Sequence, residues 1–269
     1  MRSRRNIVDT AARSGLDAGR RDDAASLRLR LPEAPADYLE GALDNPSVGP
    51  DEVETILRSR NATAAILARI ARNKAWMRGR RAKRALVSHP KTPIALARNL
   101  LPHLFWRHLA DVAADARLSA VLRRDAEKLL RSRLPELTVG ERVTLARMAS
   151  RALIEPLRGD PDRRVLEALL RNPKVNDTDI GRVVSREDAP ASFLVWLATE
   201  SEWGRSAAIR AALVRHPLLP APIALRVTGL LSARELRDLC HDPLAPRLVR
   251  VAAQRRSADR RSLAPADVG

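Results

Sequence analysis

Cysteine, aromatic residues and long apolar runs are all scarce in this chain. Its single cysteine, Cys240, excludes an intramolecular disulfide framework and leads us to expect a reducing, cytoplasmic setting. Aromatics make up 3% of the residues. Val, Ile, Thr, Tyr and Phe are too sparse and too unpatterned for a large sheet. No apolar stretch approaches the roughly 20 residues that cross a bilayer, so no membrane partner is expected. The basic start, MRSRRNIVDTAARSG, lacks the apolar centre of a secretory signal, and Asp9 and Asp17 count against a transit peptide. The motifs of common enzymes are missing as well. There is no glycine-rich phosphate loop, no GxSxG, no HExxH and no cysteine pair. The expectation is a non-catalytic protein with no cofactor and no metal.

What is present favours helix. Hydrophobic residues reach 45%, and Ala, Leu and Arg dominate, residues that lose little freedom in a helix. The expected fold class is all-α. Slid along itself until Leu43 meets Leu170, the chain matches itself. At this one offset Asn45 and Pro46 fall on Asn172 and Pro173, and Trp76 and Arg78 fall on Trp203 and Arg205. "ALVSHPKTP" at Ala85–Pro93 answers "ALVRHPLLP" at Ala212–Pro220. Between Leu43 and Pro90, 15 of 48 positions are identical. Such self-similarity points to an internal duplication. Asn-Pro and His-Pro marks are equally spaced in the two copies, Asn45 to His89 and Asn172 to His216. A proline disfavours helix at the residue before it, so each mark closes one helix and opens the next. Thr138 and Glu141 have capping-box spacing, and Pro161 is expected in the first turn of a helix.

Short amphipathic helices in tandem, none able to bury its face alone, predict an α-solenoid. The "ALxxNP" and "ALVxHPxxP" endings make the chain resemble the HEAT-like and leucine-rich-repeat-variant families of bacterial helical repeats. The chain departs from the variant family in its longer period and in lacking a cysteine cluster. The resemblance implies a binding scaffold, in some relatives one that holds duplex DNA, and it transfers no catalytic residue. The expected organisation is a disordered basic segment over 1–35 and a solenoid over 36–255. Copy one spans 43–131, connecting helices 132–169 and copy two about 170–258. A disordered tail is expected over 256–269.

The net charge is +17, and its distribution is uneven. From Thr55 to Ala110 there is no Asp or Glu but 13 Lys and Arg; the matching window, Arg182 to Arg237, has 8 Arg and 5 acids. A shared genome would bias both windows alike. On a helix through Arg78–Ser88, Ala82, Ala85 and Leu86 share one face, and Arg80, Arg81, Arg84 and Ser88 the other. The expected partner-binding residues are Arg72, Lys74, Arg78, Arg80, Arg81, Lys83 and Arg84. The expected partner is an acidic macromolecule, nucleic acid or an acidic protein, with nucleic acid ahead. The competing reading is a protein–protein scaffold, for which the basic run is only a solvated face. The sequence leaves the oligomeric state open. Trp76 and Trp203 are expected to pack between helices rather than stack on bases, because both copies carry one. Cys240 is expected in a core. His103 and His108 miss the i, i+4 spacing of a metal pair, and His108 with Asp111 is only a weak acid–base pair.

Overall fold

The computed structural model describes residues 13–262, and side chains as far as 260. Among them every regular element is helical. The chain divides into two compact units, Met1–Pro135 and Glu136–Gly269.

In unit 1, α1 is described over residues 13–21, and α2 (Ala24–Arg30), α3 (Ala36–Ala42), α4 (Pro50–Arg58) and α5 (Ala64–Arg72) follow. A 3-10 turn at Trp76–Arg78 leads to α6 (Arg80–Ser88), α7 (Ile94–Leu100), α8 (Trp106–Ala114) and α9 (Ala120–Arg133). Alternate helices pack together, α4 on α6, α6 on α8 and α7 on α9, while α6 also meets α7 and α8 meets α9. One apolar cluster runs from Leu27 and Leu31 through Leu39, Ile56 and Leu67 to Leu86. Trp76 and Met77 pack against it half-buried.

Unit 2 contains α10 (Val139–Met148), α11 (Arg151–Leu157), α12 (Arg163–Leu170), α13 (Asp177–Val184) and α14 (Ala191–Thr199). After a 3-10 turn at Glu202–Arg205 come α15 (Ala207–Arg215), α16 (Ala221–Thr228), α17 (Ala233–Cys240) and α18 (Arg247–Ser262). The packing again joins next-but-one helices: α10 with α12, α12 with α14, α13 with α15, α14 with α16 and α16 with α18. The first residues of α2 to α9 map one by one onto those of α11 to α18 at a single offset, the one that carries Leu43 onto Leu170. Ala24 maps onto Arg151 at one end of the series and Ala120 onto Arg247 at the other.

The same side chains close the corners of both units. Asn45, nearly fully buried, donates its amide to the carbonyls of Gly19 (3.0 Å) and Asp22 (2.8 Å), and its oxygen accepts the Ser47 N–H. Asn172 donates to Ala146 (2.9 Å) and Ala149 (3.1 Å) and accepts from Lys174. Every partner is displaced by the offset that relates the helices. Likewise His89 Nε2 meets the Ser59 carbonyl and Nδ1 accepts the Lys91 N–H, while His216 meets Arg186 and accepts from Leu218. Arg133 donates to the Leu104 carbonyl and Arg260 to that of Leu231. Helix C-termini leave carbonyls without partners. These side chains supply the donors and tie each helix to a corner about two helices back.

A second tie is electrostatic. Glu52 in α4 and Asp179 in α13 are buried at equivalent positions of capping boxes. Arg28 holds Glu52 at 3.1 Å, and Arg151 and Arg158 hold Asp179. Burial raises the Asp179 carboxyl, but the Arg151 and Arg158 guanidiniums and the Asn176 amide outweigh it, so the group lies below the usual carboxylate range.

Three expectations need correction. The first is disorder up to residue 35. Residues 1–12 lie outside the described residues, but 13–21 and Ala24–Arg30 are helical. Gly15 and Gly19 hide this, because they weaken helix propensity and break the apolar period. The close approach of α1 to α3 explains them: a Cβ on Gly19 would lie 2.3 Å from the Tyr38 carbonyl oxygen, and one on Gly41 would lie 2.0 Å from that of Leu16. The Tyr38 hydroxyl adds a 2.5 Å bond to Asp22. The second is the disordered tail from 256, which is helical to 262; residues 263–269 lie outside the described residues. The third is the segment 132–169, which is no connector, since α10 and α11 open unit 2 and α10 packs on α12. Of the smaller expectations, the Thr138–Glu141 capping box is present. Pro161 precedes the N-cap Asp162 instead of entering the first turn of α12.

Asn172→Ala leaves two buried carbonyls and one amide without partners. At about 1–3 kcal/mol for an unmet buried group, it should cost about 2–4 kcal/mol in urea-induced unfolding. A loss under about 0.5 kcal/mol, the low end for a net hydrogen bond, would show that the corner bonds do not hold the unit together.

Candidate functional site

The first unit holds a cavity of about 1140 Å³, to which the basic run contributes Arg81 and Arg84. One wall is α4, with Asp51, Glu54, Thr55 and Arg58; the other is α6, with Arg81, Arg84 and Ser88. The corners behind them add Arg60, His89, Lys91 and Arg117. The packing of α4 on α6 fixes the walls, because both helices turn apolar residues inward: Val53, Ile56 and Leu57 from one, Leu86 and Val87 from the other. Their polar residues are left at the rim.

The cations around this groove are not equivalent. Arg117 is chelated by Asp115, with bonds of 2.7 and 3.0 Å, and this pairing holds the Asp115 carboxyl below its ordinary range. Arg58 is bound to Glu54 at 2.5 Å. By contrast, Arg81 stands 4.0 Å from the same Glu54 with 85% of its side chain exposed. Arg84 lies 3.8 Å from Asp111 on α8. Pairs that long and that wet contribute little. Lys91 donates to the Arg60 carbonyl at 2.6 Å, an uncharged acceptor. Arg60 is exposed and makes no side-chain ion pair with a described residue. Arg60, Arg81, Arg84 and Lys91 are therefore the cations free to meet an anion.

Of the residues expected from sequence, only Arg81 and Arg84 line the groove. Arg72, Lys74 and Arg78 are exposed at the end of α5 and in the turn before α6, and Lys83 is half-buried. Arg80 lies over the ring of the exposed Phe105, 4.1 Å from its centroid, a cation–π contact. Reading the basic run as one linear stretch missed Arg58, Arg60, Lys91 and Arg117, which arrive from other helices and corners. A position-by-position comparison at the offset of Leu43 onto Leu170 could have found all four. Arg58, Arg60, Lys91 and Arg117 stand where the second unit has Ser185, Glu187, Leu218 and Leu244.

Other candidates disperse. Asp111 stands exposed, 3.8 Å from Arg84. His108 packs against Phe105 in a tilted ring contact, centroids 6.2 Å apart. Burial and the neighbouring Arg84 push its ring below the usual histidine range. His103 is exposed in a 3-10 turn. Cys240 is half-buried, not in a core, at the last turn of α17. Among the described residues no three His, Cys, Asp or Glu gather as a metal site requires, and no helix is long and apolar enough to cross a membrane. No family model matches the chain, and neither a curated protein nor a solved structure is significantly similar to it.

His89 gives the groove floor a pH dependence. Burial is the main reason its ring titrates below the ordinary value, helped by the Lys91 charge and opposed by the Ser59 carbonyl. The neutral Nε2–H form satisfies both of its bonds, donating to Ser59 and accepting from Lys91. A lowered folded pKa means that the unfolded chain takes the proton first. The stability it contributes is present above about pH 6.5 and is lost as pH falls through the lowered value. Wild type should therefore lose more stability between pH 7.5 and 5.0 than His89→Gln, measured by urea unfolding at each pH. Equal losses would contradict the assignment.

Proposed function

We propose that the chain is an α-solenoid of HEAT-like helical repeats, made by an internal duplication that carries Leu43 onto Leu170. In this reading it is a non-catalytic cytoplasmic binding protein whose unit 1 groove holds an acidic macromolecule, nucleic acid. The recurrence of helix starts and corner bonds at one interval supports the duplication, and next-but-one helix packing in each unit supports the repeat architecture.

One observation carries the functional reading. The four free cations of the groove, Arg60, Arg81, Arg84 and Lys91, map at the same offset onto Glu187, Ala208, Ala211 and Leu218. A genome that favours arginine would fill both sets. The two sets share a scaffold, so the charge in unit 1 serves something other than folding. Arg and Lys neutralise phosphates and release the counterions condensed on them. No helix carries a base-reading motif and aromatics are few, so recognition falls on the backbone.

The combined variant Arg60→Glu, Arg81→Ala, Arg84→Ala, Lys91→Leu puts the second unit's residues into the first. It should fold, because the same residues occupy those positions in unit 2. In a salt titration with a short random duplex, its affinity at about 50 mM salt should fall more than about tenfold. The slope of log K against log salt should shrink by about 0.9 for each phosphate no longer neutralised. Absence of wild-type binding, or equal slopes for both proteins, would sink the nucleic-acid reading and leave a protein-binding scaffold.

A further inference from the structure

Unit 2 carries a cavity of its own, of about 800 Å³, at the C-terminal end of α14. Trp196 and Trp203, both half-buried, form part of its lining, Asp177, Glu200 and Glu202 bring carboxyl groups to it, and Arg171 brings one cation. Trp196 is held by Phe193 beneath it, ring centroids 5.9 Å apart, and Phe193 is fully buried. Asp177 is oriented by the Ser206 hydroxyl, which donates to it at 2.9 Å. The carbonyl end of α14 also points here, since Glu200 is its C-cap, and helix C-termini favour cations.

The equivalent place in unit 1 is built the opposite way. Arg69 stands at the position of Trp196, Asp44 at that of Arg171, Asn73 at that of Glu200 and Ala75 at that of Glu202. There Arg69 bonds Asp44 across the gap and reaches the Glu40 carbonyl. Exchanging this pair for Trp196 and Arg171 removes the strut, and Asp177, Glu200 and Glu202 add three carboxylates where unit 1 has Pro50, Asn73 and Ala75. Trp76 and Trp203, together with Leu43 and Leu170, are common to both places. Packing alone accounts for the shared tryptophan. It does not account for a second tryptophan beside added acids, in a chain whose net charge is +17.

We propose that this cavity is a second binding site, one that takes the guanidinium or ammonium group of a basic peptide segment. Ring faces attract a cation through their quadrupole, and carboxylates at the edge pair with it once it is partly desolvated. The site is independent of the groove in unit 1 and opposite to it in charge preference.

Isothermal titration of the full chain with a penta-arginine peptide at about 50 mM salt tests this, with tryptophan fluorescence recorded alongside. Binding accompanied by a fluorescence change is expected. Glu200→Gln with Glu202→Gln should weaken it at least fivefold. Trp196→Leu, which keeps an apolar contact with Phe193 but removes the ring, should weaken it at least threefold. Trp196→Arg, restoring the residue type of unit 1, should abolish it. Three outcomes overturn the proposal. One is no binding at about 1 mM peptide. Another is an equal loss from Glu187→Gln with Asp188→Asn, a surface pair outside the cavity. The third is a loss from the carboxylate variants with none from Trp196→Leu, which would mean simple surface charge. Circular dichroism of each variant separates a lost site from a lost fold.

Discussion

A short helix cannot end in a protein interior without a donor for its last carbonyls, and this chain consists of short helices. Most are 7–10 residues long, so much of the backbone belongs to a terminal turn. The solution is a polar side chain at the corner that bonds forward to its own turn and backward to an earlier one. Asn45, His89, Asn172 and His216 all do this. Each can both donate and accept, which explains the choice of Asn and His over Asp or Lys. The proline that follows each of them has no N–H to donate and disfavours helix at the corner residue itself. Helix packing, the groove and the cavity all depend on these corners, because the corners set where each helix begins.

Much of the helical plan was legible for this reason. The marks Asn45-Pro46, His89-Pro90, Asn172-Pro173 and His216-Pro217 are visible as letters, and each pair brackets three helices, α4 to α6 and α13 to α15. Residues 13–30 were illegible because glycine has two opposite meanings. In isolation Gly19 and Gly41 argue against helix. In the folded unit they are the places where two helices touch backbone to backbone. Only knowledge of the neighbour distinguishes the two. The groove was half legible: Arg81 and Arg84 stand in an obvious basic run, but Arg60, Lys91 and Arg117 converge on it from separate corners. Side-chain pairing was not legible at all. Nothing in the sequence separates Arg117, spent on Asp115, from Lys91, whose charge is unspent.

The two units illustrate what a fixed scaffold permits. The buried positions keep their character from one unit to the other: Leu67 and Leu194, Leu86 and Leu213, Val87 and Val214. The exposed positions are free to differ and do so in both directions. Arginine and lysine gather around α4 and α6, whereas tryptophan and glutamate gather at the end of α14. Exposed charges contribute little to folding, so each surface can change without cost to the corners beneath it.

The proline after each corner asparagine also bears on chemical ageing. Asparagine deamidates when the backbone nitrogen of the next residue attacks the side-chain amide and closes a succinimide ring. Pro46 and Pro173 offer a nitrogen with no hydrogen to lose, so the ring cannot form in the usual way. Conversion to aspartate at either site would place a carboxylate against two carbonyl oxygens in a dry corner, with no donor to offer them. The residue that stops the helix therefore also protects the one amide in each unit whose slow hydrolysis would undo the corner.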